Sequence, residues 1–278
     1  MLNLIFAVIS SALVSIFMRL SVKKVENNIT ALSVNYFTCM LLAYYYVHPV
    51  MIRGGGNDLV RAAILGLIAG TLLLAGFILL QFNVRVNGVV MSGTFAKLGV
   101  LVPAVISVVC FDERMKLVQA IGFLLALIAI ILINMDKEES NVKFKTGLVL
   151  LLIGSGCADA MAKIYEELGS ARYEDFYLWF TFVAAAAFSV ILVLIKRQKV
   201  KKNDIVYGIL LGIPNYYSIR FLMKALADIP AVITYPTYSV ATIVVISMAG
   251  VLMFKEKLNV RQKQAIAIIM VSLVMLNI

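Results

Sequence analysis

GVVMSGTFAKLGVLVPAVISVVCF, residues 88–111, decides how the rest of the chain is read. The stretch is apolar and long enough to cross a bilayer, for which about 20 residues suffice. Near its middle stands one cation, Lys97, and six residues later comes Pro103. A charge at mid-membrane costs at least about 2.5–3.5 kcal/mol, so it faces a protein interior or water and has a partner.

Working outward, nine further apolar stretches are separated by charges and turn residues. With the first they give ten segments at 2–20, 29–50, 59–82, 87–111, 116–135, 145–167, 174–195, 204–226, 229–253 and 259–277. The gaps are short, such as VKKVENN, RGGGND and KRQKVKKND, and leave no room for a soluble domain. The 278 residues are 62% apolar and only 14% charged, against about a quarter in soluble domains. The reading is a multi-pass membrane protein. Its N-terminal stretch lacks a basic n-region and reads as an uncleaved first helix.

The net charge of +10 falls in the gaps, where it meets lipid headgroups and sets topology. That placement excludes a nucleic-acid partner, which needs one clustered basic module. Cys39, Cys110 and Cys157 lie inside apolar segments without a CxxC pair and read as small buried hydrophobes. With His48 the only histidine, a histidine zinc site is excluded. GGG at 54–56 has no following Lys-Ser/Thr and is no phosphate loop. No metal and no cofactor is expected. The chain also lacks a deep histidine, HExxH and GxSxG, which argues against an intramembrane enzyme.

The chain repeats itself. LGLIAG (65–70) aligns with YGILLG (207–212), placing Gly66 on Gly208 and Gly70 on Gly212. FDERMKLVQ (111–119) aligns with FKEKLNVRQ (254–262), placing Glu113 on Glu256 and Gln119 on Gln262, and Asn134 falls on Asn277. Segments 3–5 therefore resemble segments 8–10, while segments 1–2 match 6–7 much more weakly. Five spans per repeat is an odd number, so the halves run in opposite senses, as in many secondary transporters. The expected fold is an all-α membrane protein of ten transmembrane helices in two inverted five-helix repeats, residues 1–137 and 138–278. The glycines allow close helix contact.

The two endings FDERMKLVQAIGFLLALIAIIL and FKEKLNVRQKQAIAIIMVSLVML, with Glu113 and Glu256 before the last helix of each repeat, together with SGTFAKLGVLVP in segment 4, resemble the EamA-like branch of the drug/metabolite transporter superfamily. One departure is that segment 1 lacks a tryptophan often found there; the only one is Trp179. The resemblance implies a secondary transporter, not an enzyme, in a bacterial-type plasma membrane. It implies export of small metabolites such as amino acids or related compounds, by alternating access through a central cavity that segments 4, 6 and 8 help to surround. The alternatives are a flippase-type component for a lipid-linked substrate and a non-transporting membrane partner. The resemblance also implies termini inside. The loops after odd-numbered segments carry more Lys and Arg, which argues for termini outside, so orientation stays open.

At 1.5 Å per residue Lys97 lies about 14 Å into segment 4, Asp159 about 20 Å into segment 6 and Asn215 about 15 Å into segment 8. Lys97 and Asp159 are expected to contact substrate or a coupling proton, with Thr94 one turn before Lys97. The competing reading is an ion pair, Lys97–Asp159 or the local Asp159–Lys163. In GIPNYYSIRFLMKAL Pro214 is expected to kink the helix, and Asn215 with Arg220 could hold a carboxylate; snorkelling to headgroups is the alternative for Arg220 and Lys224. Tyr235 and Tyr238 suit organic ligands or an interfacial belt. Asn35 and Tyr36 line a cavity or glue helices. Tyr44, Tyr45 and Tyr46 read as belt residues, and Glu113 and Glu256 as helix caps. Lipids, a small metabolite and coupling protons are the expected partners. The apolar faces of segments 5 and 10 leave lipid or a second copy, a homodimer, open.

Overall fold

The computed structural model describes residues 1–21, 24–47, 56–87, 89–134, 145–255 and 260–278, side chains at 89–91 and 133–134 excepted. His48, Gly54, Gly55, Gly88 and Glu256, and the side chain of Asn134, lie outside the described residues.

Among the described residues the chain is all helix. The helices are α1 Leu2–Ser21, α2 Asn28–Tyr46, α3 Gly56–Asn87, α4 Val89–Leu98, α5 Leu101–Cys110, α6 Leu117–Asn134, α7 Lys145–Leu168, α8 Glu174–Ile195, α9 Lys202–Leu226, α10 Ala231–Phe254 and α11 Val260–Leu276. Six stretches are long and apolar enough to cross a bilayer: Leu2–Ser21, Gly56–Asn87, Ser92–Cys110, Lys145–Leu168, Ala171–Ile195 and Ala231–Phe254. Their outward side chains are large and apolar, as lipid demands: Ile5, Ile64, Val109, Ile153 and Ile191 are all exposed. The chain is an integral membrane protein. α9 falls short of that measure because Asn215, Tyr216, Tyr217, Arg220 and Lys224 dilute it.

Two differences from the sequence reading concern segment ends and continuity. α3 runs over 32 residues, well past the expected 82, because nothing between Gly56 and Asn87 breaks a helix. The expected single segment 87–111 is two helices, α4 and α5. α9, in contrast, continues through Pro214.

The chain packs as two compact units. One comprises Ala75–Lys163 and Ala225–Ile278 with Met1; the other comprises Leu2–Leu74 and Ile164–Lys224. In the first unit α6 lies along α11. Gly122 admits it: a Cβ there would stand 2.9 Å from Met275 Cβ and 3.2 Å from the Ser272 carbonyl. Ser272 Oγ donates to the Gly122 carbonyl at 2.8 Å, and Ala126, Ala129, Ile130, Ala265 and Ile269 fill the seam. Lipid gives helices no hydrophobic reason to associate, so close backbone approach and cross-helix hydrogen bonds must do it.

In the second unit α2 lies along α8, and each is closed by a glycine helix. Gly66 and Gly70 of α3 press on α8 at Tyr177, Thr181 and Ala184. Gly208 and Gly212 of α9 press on α2 at Val34, Asn35 and Thr38. The aligned glycines thus meet aligned partners: Val34 and Tyr177, like Thr38 and Thr181, stand 143 residues apart. Asp204, fully buried, ties this unit at one end by accepting the backbone N–H groups of Glu26, Asn27 and Lys201.

A Cβ at Gly70 would overlap the Thr181 carbonyl, which is backbone and cannot swing aside. Gly70→Val is expected to destabilise the protein by about 3 kcal/mol or more, read as a lowered melting temperature in detergent. Gly93→Ala, where a Cβ meets open space, is the control and should leave that temperature unchanged or raise it.

Candidate functional site

The break between α4 and α5 starts with Pro103. It has no N–H for the Gly99 carbonyl four residues back, and its ring crowds that carbonyl. The chain answers by tightening. Gly99 N–H reaches the Ala96 carbonyl at 3.2 Å, Val100 N–H the Lys97 carbonyl at 3.4 Å, and Val102 N–H the Gly99 carbonyl at 2.9 Å. These three-residue bonds satisfy backbone groups that hydrocarbon would leave orphaned. α7 crosses at this point. A Cβ on Gly156 would overlap the Gly99 carbonyl and stand 2.5 Å from Val102 Cγ2, and one on Gly99 would stand 2.6 Å from Ser155 Oγ.

Lys97 sits in the last turn of α4, at the carbonyl end of a half-helix, where a cation complements the helix dipole. It is half-buried. Among the described residues the opposite charge it meets is Asp159 of α7, close enough for the two charges to act on each other. No ion pair within 4.0 Å joins Lys97 to a described residue. Asp159 lies one turn beyond Gly156, deep in α7, yet its side chain is exposed. A carboxylate at that depth is costly in hydrocarbon and needs a partner. Thr94 lies one turn before Lys97 on the same helix face and is buried.

Tyr235 of α10 donates its hydroxyl to the Asp159 main-chain carbonyl at 2.7 Å. It is buried, and Tyr238, three residues on, is half-buried. In the first unit Lys97 of α4 and Tyr235 of α10 thus both meet Asp159 of α7, and Thr94 and Tyr238 lie one turn away along α4 and α10.

Glu113 holds α10 in place. α5 ends with Asp112 in the left-handed conformation (φ 53°), and Glu113 N–H returns to the Ser107 carbonyl at 3.1 Å. That turn aims the Glu113 carboxylate at α10, where it accepts the N–H groups of Ala231 and Val232, each at 3.0 Å. It thus caps a helix more than a hundred residues away in sequence, and not the helix that follows it. Lys163 Nζ lies 3.0 Å from the same carboxylate, which replaces the local Asp159–Lys163 pairing.

The second unit gathers Asn35, Tyr36, Asn215 and Arg220. Asn215 Nδ2 donates to Asn35 Oδ1 at 3.3 Å, and the Cys39 thiol donates to the Gly212 carbonyl at 3.2 Å. Cys39 is thus a buried hydrogen-bond donor, not only a hydrophobe, whereas Cys110 is exposed and Cys157 half-buried. Tyr36 is buried beside them.

Arg220 is buried and engaged. Its Nη1 donates to Asp175 Oδ1 at 2.5 Å and to the Tyr216 hydroxyl at 2.6 Å, and its guanidinium stacks 3.9 Å over the Tyr46 ring. Tyr46 in turn shares a hydrogen bond with Tyr217, hydroxyl to hydroxyl at 3.1 Å. Tyr46 is therefore no belt residue, although Tyr44 and Tyr45 are exposed. Asp175 escaped the sequence reading, and Tyr46 was read there as a belt residue. The signal for Asp175 was available, since a deep arginine requires a partner and Asp175 stands at the opening of segment 7.

Residues 145–278 match the family described as the EamA-like transporter family. The chain is 27% identical over 267 residues to an uncharacterized protein of Haemophilus influenzae, covering 92% of this chain and 91% of that one. Its fold resembles a solved crystal structure with a TM-score of 0.72 at 12% identity, covering 99% of this chain and 94% of that one.

Removing the Glu113 carboxylate strands two helix N–H groups and takes one ion pair from Lys163. Glu113→Ala is expected to cost about 3 kcal/mol, and Glu113→Gln, which keeps one acceptor, distinctly less. Thermal unfolding of the two variants checks the order.

Proposed function

We propose, from the premise that the second half of the chain is an EamA-like transporter segment, that this integral membrane protein is a secondary transporter of small solutes carrying an anionic group, working by alternating access. The single observation that supports the reading is Lys97. A mid-span cation ends a half-helix, has no close ion pair among the described residues, and shares its place with an accessible carboxylate, Asp159. Discontinuous helices whose ends meet a ligand are how many secondary transporters build a binding site at membrane depth.

Lys97 is the group that receives the substrate's carboxylate or other anion. Asp159 accepts either a substrate ammonium or the coupling proton, and Tyr235 fixes the Asp159 stretch of α7 through its carbonyl. Amino acids and related compounds fit that pair of opposite charges, and export across a bacterial cell membrane fits the family. The inverted two-repeat arrangement is supported by the exchange of glycine contacts between α3–α8 and α9–α2. Asn35 and Asn215 join α2 to α9, and Arg220 joins α9 to α8 through Asp175, so these residues hold the scaffold.

The test is the melting temperature of the purified protein against amino acids, polyamines, sugar phosphates and quaternary amines. A ligand at a hundred times its dissociation constant adds about 2.7 kcal/mol. The expected result is a shift with an amino-acid or other anionic class, lost in Lys97→Ala together with transport. A shift and transport rate unchanged in Lys97→Ala would sink the proposal.

A further inference from the structure

A cavity of about 480 Å³ opens between α1 and α9 in the second unit, and no charged residue lines it. Leu13 and Phe17 line one wall, and Leu210, Ile213, Tyr217 and Phe221 the other. Leu13, Leu210 and Ile213 are exposed, so the cavity is continuous with the apolar surface that α1 presents to hydrocarbon. An occupant can enter from the membrane without passing through water.

The two helices run antiparallel. Asn203 Nδ2 donates to the Lys24 carbonyl at 3.2 Å at one end, and Phe6 meets Phe221 with ring centroids 5.2 Å apart at the other. On α1 the cavity begins at Phe17, about 6 Å from the helix end at Ser21, and reaches Ser10, about 16 Å from it. One leaflet of hydrocarbon is about 15 Å deep, so the cavity occupies the depth of a single acyl chain.

Its membrane-surface end is basic. Lys24 and Lys202 are exposed there, with Lys24 Nζ 5.9 Å above the Tyr207 ring. The nearby acids do not cancel them: Asp204 is buried and saturated with backbone donors, and Glu26 is taken by Lys201. A lysine pair at headgroup level above an apolar slot one leaflet deep is complementary to one ligand class. We propose that the α1–α9 groove binds an anionic phospholipid, one acyl chain in the cavity and its phosphate at Lys24 and Lys202. The site requires only that the chain lie in a membrane and stands whether or not Lys97 binds substrate.

The experiment uses the full chain in mild detergent, titrated with phosphatidylglycerol or phosphatidylcholine of equal chain length, with retained lipid read by native mass spectrometry. The expected result is retention of about one phosphatidylglycerol in preference to phosphatidylcholine. Lys24→Gln with Lys202→Gln should cut that preference about fivefold for each lysine removed. Ile213→Trp, which fills the slot, should reduce retention of both lipids; Leu13→Phe fills it from α1 and serves if Ile213→Trp fails to fold. Equal retention of the two lipids by the native protein would overturn the proposal. So would undiminished retention in a folded slot-filling variant, or binding of a water-soluble short-chain phosphatidylglycerol as strong as that of the long-chain lipid.

Discussion

A peptide group in hydrocarbon has no water to bond, so a span must satisfy its own backbone. The α4–α5 junction is where this chain tests that constraint and where the rest of the first unit adjusts to it. Pro103 takes away one donor, three short-range bonds take up the slack, and α7 seals the place with a residue that has no side chain. A larger residue at Gly156 would push α7 off the break and carry Asp159 away from Lys97. Lys97 is tolerable at this depth because the helix carbonyls and the opposing carboxylate share its cost.

The second unit solves a related problem differently. Arg220 is also a cation within an apolar helix, but it is spent on Asp175, Tyr216 and the face of Tyr46. A guanidinium has a planar fork and a stackable face, so it can be saturated by a carboxylate and an aromatic ring at once. The ammonium of Lys97 has neither. The two cations are therefore held differently, one by a carboxylate and an aromatic face, the other by a helix end and a carboxylate farther off.

How far this was legible in the sequence depended on whether a signal was local. Hydropathy and gap charges marked every helical stretch, and the glycine register of LGLIAG and YGILLG marked the close contacts, because both are properties of one segment. The partners of those glycines were not legible, since Thr38 and Thr181 announce nothing until α2 and α8 are known to lie together. The same holds at Lys97: Pro103 was visible, but the break also needs Gly99 to meet Gly156, a matter of two helices crossing. Glu113 was read as a cap from its position at a span end. Which helix it caps was hidden, because the turn at Asp112 redirects it.

The contact between Cys39 and Gly212 has a consequence for how the protein is made. The two residues are 173 positions apart, and at about 5–20 residues per second the ribosome needs roughly 10 to 35 s to travel between them. Through that interval α2 is already in the bilayer while the helix that receives Asn35 and Cys39 does not yet exist. A nascent α2 therefore carries its polar side chains into lipid ahead of their partners. The first half of the chain is insertable but unfinished, and its assembly waits on the arrival of α9.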